Sequence, residues 1–202
     1  MNNKATAILC AFTLSSFASY SYAQNAPLLE YVAQYEASAN GLAATATRSL
    51  SRVDENSYRL SNSLEASIAG QALARLEQAS EFTIDGKRVV PLNYSYQLSG
   101  VSRVSHAIFF NWDAEVALST EGDESWQLQL YEGVMDQLSY EVAIRQALID
   151  NTEIESAFSF GIVDGDAIEM QEYRLVGEAI ISTPLGELST VKLERVREAS
   201  DE

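Results

Sequence analysis

Residues 92–98 read LNYSYQL, and this stretch decides the fold class. The side chains at 92, 94, 96 and 98 are apolar or aromatic, and polar side chains alternate with them. Because successive side chains of a β-strand point to opposite faces of its sheet, the pattern predicts a strand with one buried face. The other face would meet water or a ligand, which is typical of antiparallel sheets.

The same alternation recurs along the chain, and turn residues separate the runs. Asn40-Gly41, Asp85-Gly86 and Asp164-Gly165 predict tight hairpins, because these residues tolerate a positive φ. We predict strands at 29–38, 42–53, 58–69, 73–84, 88–99, 101–112, 115–120, 125–130, 154–163, 167–177, 178–182 and 187–198. Consecutive hairpins make a long antiparallel meander. Since sheets twist, we expect this mainly-β meander to curl into an open or half barrel.

One segment, residues 134–150, breaks the alternation. It contains no Gly or Pro and is rich in helix-forming residues. Its polar side chains form one narrow stripe, so we predict a largely buried helix lying against the curled sheet. Glu141 and Arg145 are four residues apart within the apolar part, and we expect them to form an ion pair along the helix.

The first 23 residues have the pattern of a signal peptide. Lys4 precedes a short apolar run, and Ser21-Tyr22-Ala23 offers a small-x-small cleavage site after Ala23. Cys10, the single cysteine, lies inside that run in a poor context for lipid attachment. We therefore expect a periplasmic protein whose mature part, residues 24–202, is one cysteine-free domain.

The charge of the mature part excludes some partners. Removing the predicted leader takes away Lys4 and leaves 12 basic against 29 acidic residues, a net charge of −17. Such a surface repels nucleic acid and anionic membranes. No second apolar run reaches the ~18 residues that a membrane-spanning helix needs, so we expect no transmembrane segment in the mature chain.

No motif in the sequence points to a reaction. His106 is the single histidine, and a metal site around it would need carboxylate ligands; the other interpretation is a half-buried sheet histidine with a local hydrogen bond. The acidic run 164–169 suits a hairpin turn better than a calcium loop. The chain has no nucleophile elbow, phosphate loop or dinucleotide fingerprint. We expect no catalytic residue, cofactor or metal.

Aromatic side chains on the alternating faces are the best candidates for a binding site. They could form an ordinary packed core, or they could line a hollow that holds an apolar ligand. The candidate ligand-binding residues are Tyr94, Tyr96, Phe109, Phe110, Trp112, Trp126, Phe158 and Phe160.

Several stretches resemble a family of exported bacterial proteins known as a domain of unknown function. They are YEASANGLAATATRSL (35–50), YRLSNSLEAS (58–67), SEFTIDGKRVVPLNYSYQLSG (80–100), LSYEVAIRQAL (138–148), IVDGD (162–166) and TPLGELSTVKLERVRE (183–198). The resemblance covers residues 30–198 and implies a curled antiparallel sheet, similar to the half barrels of periplasmic lipoprotein carriers. It implies no activity and no catalytic residues. Family members usually continue into a further hairpin, so we expect either that this sequence is truncated or that its last hairpin is missing, which would leave an unpaired edge at 187–198.

Three functions follow from these observations. The first is a soluble periplasmic protein that binds or carries an apolar envelope component such as an acyl chain. The alternative is an envelope interaction or assembly factor that uses exposed strand edges or acidic loops to contact a protein partner. The third is an enzyme of unknown reaction, against which the lack of motifs argues.

Overall fold

A computed structural model of the protein describes residues 28–39, 41–150 and 157–197. The predicted signal peptide, residues 1–23, lies outside the described residues. The elements are β1 (Tyr31–Ala39), β2 (Leu42–Arg52), β3 (Ser57–Ile68), β4 (Gln71–Asp85), β5 (Arg88–Gly100), β6 (Val104–Asn111), β7 (Val116–Glu121), β8 (Glu124–Gln129), β9 (Val134–Met135), α1 (Ser139–Asp150), β10 (Ala157–Asp164), β11 (Ala167–Thr183) and β12 (Gly186–Val196).

The strands form two sheets. Strands β1 to β8 pair in chain order as one antiparallel eight-stranded sheet, and the second sheet has the order β12-β11-β10-β9. The fold is 73% strand with one helix among the described residues, and the large sheet does not close into a barrel. The predicted mainly-β meander is confirmed. The separate second sheet and the parallel pairing of β9 with β10 were not predicted.

The core face of the large sheet can be followed along a single row of paired residues. This core row crosses all eight strands through Tyr31, Leu50, Leu60, Ser80, Tyr94, Ile108, Ser119 and Trp126. Tyr94 and Leu60 in this row are almost completely buried. The opposite face carries small or polar residues such as Ser61 and Ser95. The alternation at 92–98 therefore identified the buried face correctly.

The hairpins lie where the turn dipeptides predicted them. Gly41, Gly86 and Gly165 have φ angles of 80°, 62° and 55°, a conformation that costs glycine little and other residues more. The two predicted strands 167–177 and 178–182 are parts of the single strand β11. A register shift between Leu175 and Gly177 interrupts its pairing with β12, so the predicted break between the two strands lies next to a bulge in one continuous strand.

The helix begins five residues later than predicted. Asp136 Oδ1 accepts hydrogen bonds from the backbone N–H groups of Leu138 (2.8 Å) and Ser139 (2.9 Å). In return, the Asp136 N–H donates to Ser139 Oγ at 3.0 Å. This reciprocal arrangement is a capping box, and it fixes the helix start after Asp136. Val134 and Met135, predicted to be helical, pair as β9 with β10 instead.

The predicted ion pair between Glu141 and Arg145 is not formed. Glu141 reaches Arg48 on β2 instead, with 2.5 Å between the charged groups. The guanidinium of Arg145 lies over the ring of Tyr31 on β1, 5.5 Å from its centre. Because a helix packed on a sheet finds partners on the sheet, contacts across elements replaced the contact along the helix. Both contacts hold α1 against the first strands of the large sheet.

Candidate functional site

A cavity of about 550 Å³ opens beside Trp112, and we call it the Trp112 cavity. Its walls come from the β4–β5 hairpin, the β6–β7 turn, the segment after β8, and α1. That size falls within the range of small-molecule sites. The lining residues are Asp85, Lys87, Arg88, Val89, Val90, Trp112, Glu115, Leu130, Tyr131, Glu132, Gly133, Val134, Met135 and Ala143.

Hydrogen bonds and ring stacking hold the wall that contains Trp112. The Trp112 indole N–H donates to the Pro91 carbonyl at 2.7 Å, and the ring stacks on Phe110 with centroids 6.1 Å apart. The Glu115 N–H donates to the Trp112 carbonyl, and the Leu130 N–H donates to the Glu115 carbonyl at 2.8 Å. The turn therefore joins β5, β6 and the end of β8 into one wall.

The mouth of the cavity carries charged groups of both signs. Arg88 contacts Asp85 at 2.5 Å and Glu132 at 2.7 Å. Hydrogen bonds to these two carboxylates raise the pKa of Arg88 above its ordinary value. The interior beyond the mouth is lined mainly by aliphatic and aromatic groups such as Val89 and Leu130. Such a site favours a ligand with an apolar body and a polar end.

Most of the predicted binding residues lie elsewhere. Of those eight aromatic residues, Trp112 is the one that lines this cavity. Tyr94, Phe110 and Phe158 are buried in the packed core; Tyr96, Phe160 and Trp126 are half-buried; Phe109 lies on the other face and is 52% exposed. Any binding role for them stays a prediction.

A buried carboxylate, which the sequence reasoning missed, anchors the segment behind the cavity. Asp136 has no exposed surface, and Ser80 on β4 donates a hydrogen bond to its Oδ2 at 2.7 Å. Burial raises the pKa of Asp136, while the hydrogen bonds from Ser80 and the helix start act in the opposite direction. An aspartate shortly before a helix-forming apolar run is an N-cap signal that could have identified this residue.

A series of side-chain hydrogen bonds crosses the core near Asp136. Gln78 donates to the Tyr94 hydroxyl at 3.0 Å, and that hydroxyl donates to Gln137 Oε1 at 3.2 Å. Gln137 in turn donates to Asp164 at the end of β10, at 2.9 Å. Burial raises the pKa of Tyr94 and keeps its hydroxyl protonated. These hydrogen bonds therefore connect the large sheet, the start of α1 and the second sheet.

His106 lies on the core face of β6. Its Nε2 is 3.1 Å from Ser119 Oγ, and its ring meets Tyr94 edge to face. Burial lowers the pKa of His106, so the neutral imidazole is favoured. A serine beside a histidine can form a nucleophile–base pair, but Ser119 has no exposed surface for a substrate to reach. The geometry matches the structural interpretation of His106. Among the described residues, no cluster of three or more potential ligands could hold a metal ion.

The core face of the large sheet continues beyond the packed region. A second row of paired residues, which we call the leucine row, runs through Tyr35, Ala46, Leu64, Leu76, Leu98 and Val104. Its members are half-buried or exposed, in contrast to the core row. A row with polar members, including Arg48, Gln78 and His106, separates the two.

The second sheet also has an exposed apolar part. The ends of β11 and β12 away from the core, residues 176–191, form a two-stranded arm. Ile180 is 69% exposed, and Leu185 in the turn is 94% exposed. Large exposed apolar patches are uncommon on monomeric proteins and often mark interaction surfaces. We call residues 176–191 the hairpin arm.

Comparisons with known proteins identify the family. No curated protein and no solved structure gives a significant match to the chain. Among the described residues, no helix is long and apolar enough to cross a membrane. Residues 31–202 match the family described as "Protein of unknown function (DUF3108)". This match extends over most of the sequence, and the chain therefore belongs to the DUF3108 family.

Proposed function

We propose that the protein is exported to the periplasm, where it binds and carries an apolar component of the cell envelope in the Trp112 cavity. The observation that carries this proposal is the cavity itself, about 550 Å³ in volume and lined mainly by apolar groups. Burial of an alkyl chain there would contribute about 0.8 kcal/mol for each methylene group removed from water. The mouth leaves room for a polar end to stay in water.

Export is supported by the leader-like pattern that ends at Ala23. The excess of acidic residues suits a carrier that must not adhere to anionic membranes or nucleic acid. A binding role also agrees with the lack of an accessible nucleophile beside His106.

The test is binding of a neutral apolar probe, N-phenyl-1-naphthylamine, to the purified full chain. Replacing Trp126 by Phe leaves Trp112 as the single tryptophan, because the chain has two. Trp112 emission should then change as the probe binds and should recover when dodecanol displaces it. No change in Trp112 emission, with no lipid in solvent extracts of the protein, would reject the proposal.

A cavity-filling variant makes the test specific to the site. Ala143 lines the cavity from α1, so Ala143→Phe should weaken probe binding at least about tenfold by occupying the space. Ala147→Phe is the matched control, because Ala147 is half-buried on the same helix but does not line the cavity. Equal losses in the two variants would contradict binding at this site.

The hairpin arm supports a second candidate function, an envelope interaction or assembly factor. Its exposed Ile180 and Leu185 offer apolar contacts to a protein partner. Crosslinking in cells separates the two functions. A discrete protein adduct that survives lipid removal and disappears with Ile180→Ser would favour the second. Lipid adducts that need an open Trp112 cavity would favour the first.

A further inference from the structure

The charged groups at the mouth of the Trp112 cavity are unequally paired. Arg88 is shared between Asp85 and Glu132, so its positive charge is already matched by two carboxylates. Glu115 lines the same cavity, but its carboxylate forms no hydrogen bond or ion pair with the residues that the structure describes. Among the described residues that line the cavity, three are acidic and two are basic: Asp85, Glu115 and Glu132 against Lys87 and Arg88.

The backbone holds Glu115 in an unusual conformation. Its φ angle is 54°, in the left-handed region, which is strained for an L-residue and costs glycine almost nothing. Its carbonyl accepts hydrogen bonds from the Leu130 N–H at 2.8 Å and from Gln129 Nε2 at 2.9 Å. The turn alone would favour glycine, so its geometry does not account for a carboxylate at this position.

Two aromatic residues, Trp112 and Tyr131, line the cavity together with Glu115. Indole and phenol rings attract cations through their electron-rich faces, and they do so more strongly where water is excluded. An unpaired carboxylate beside such rings is the combination that recognises an ammonium group. The aliphatic wall of Val89, Leu130 and Val134 suits an alkyl chain.

We infer that the Trp112 cavity takes a cationic amphiphile, with its ammonium group at Glu115 and its alkyl chain against the aliphatic wall. This inference rests on the proposed function and adds the ligand class to it. An anionic amphiphile would instead bring a second negative charge close to Glu115.

Three probes with the same alkyl length test the inference: dodecyltrimethylammonium, dodecanoate and dodecanol. Each is titrated below its micelle concentration into the full chain carrying Trp126→Phe, with Trp112 emission as the readout. Binding is measured at 0.15 M salt, where the Debye length of about 8 Å screens the distant charges of the acidic surface. We expect the ammonium probe to bind about tenfold more tightly than dodecanoate.

The Glu115→Gln variant should reduce this preference, measured as the ratio of the ammonium and dodecanoate affinities, about threefold to tenfold. Asp113→Asn is the matched control, because it removes the same charge from the same turn at a residue that does not line the cavity. Circular dichroism establishes that both variants are folded.

The outcomes separate the inference from the proposed function. Tighter binding of dodecanoate, or equal effects of the two variants, overturns the inference and attributes any preference to overall charge. Binding of dodecanol without an ammonium preference overturns the inference alone. Failure of all three probes to bind rejects the proposed function as well.

Discussion

Replacing Asp136 tests whether the buried carboxylate joins α1 to the large sheet as the contacts indicate. Asp136→Ala removes the acceptor for Ser80 and for two backbone N–H groups at the helix start, those of Leu138 and Ser139. Loss of a helix N-cap costs about 1 kcal/mol, and loss of a hydrogen bond to a charged group costs about 1.5–3 kcal/mol. Relief of the burial penalty offsets part of this sum, so we expect a net destabilisation of about 2–3 kcal/mol.

Asp136→Asn is the matched control. Its Oδ1 can still accept from Leu138 and Ser139, and its Nδ2 can donate to the Ser80 hydroxyl, which then acts as an acceptor. We expect its free energy of unfolding to lie within about 1 kcal/mol of the wild-type value. Urea denaturation followed by circular dichroism measures all three proteins. If Asp136→Asn lowered the free energy of unfolding as much as Asp136→Ala, the capping argument would be refuted.

The difference in stability between the wild type and Asp136→Asn should depend on pH. The folded pKa of Asp136 is raised above its ordinary value of 3.8, so folding favours the protonated form. The resulting stabilisation is fully present below pH 3.8 and is lost as the pH rises through the raised folded pKa. The wild type should therefore lose stability relative to Asp136→Asn as the pH rises above 3.8. A constant difference across this range would show that burial does not raise the pKa of Asp136.

Three further predictions concern separate sites. The folded pKa of His106 is lowered, so the wild type should lose stability relative to His106→Gln as the pH falls below 6.5. Urea midpoints of both proteins at several pH values measure this, and a constant difference between the two midpoints would contradict it. Arg48→Gln should lower the free energy of unfolding by about 1 kcal/mol by breaking the partly exposed pair with Glu141, and the decrease should be smaller in 1 M salt. An equal decrease at low and high salt would argue against an ionic contribution. Glu115→Gly should raise the free energy of unfolding by about 1 kcal/mol by removing the left-handed strain, and unchanged or lower thermal stability would contradict this.

The sequence predicted most of the strands because their cause is local. Alternation at 92–98 depends on the side chains of one strand, and the turn at Asp85-Gly86 depends on two residues. The segment 134–150 was harder, because helix-forming composition extends through Val134 and Met135. Tertiary contacts decided that case: β9 pairs with β10, and the cap at Asp136 determines where the helix begins.

The candidate site was predicted less well, for a physical reason. Alternation shows that a side chain avoids water, but it does not show whether protein atoms or a ligand cover it. Tyr94 and Phe110 are covered by the protein's own core, whereas Trp112 lies at the wall of a cavity. The difference arises from segments far apart in sequence, and a pattern within one strand does not contain that information.

The buried polar contacts also connect the stability of the fold to the proposed site. Val134 and Met135, which line the Trp112 cavity, lie directly before Asp136, and the lining residue Ala143 lies on α1, the helix that Asp136 caps. Because Asp136 fixes both the end of β9 and the start of α1, its loss should loosen three cavity-lining residues together. Asp136→Ala should therefore weaken binding of apolar probes under conditions in which the protein is still folded, whereas Asp136→Asn should retain it. Loss of the cap with no change in probe affinity would mean that β9 and the sheet hold the cavity wall without help from the helix start.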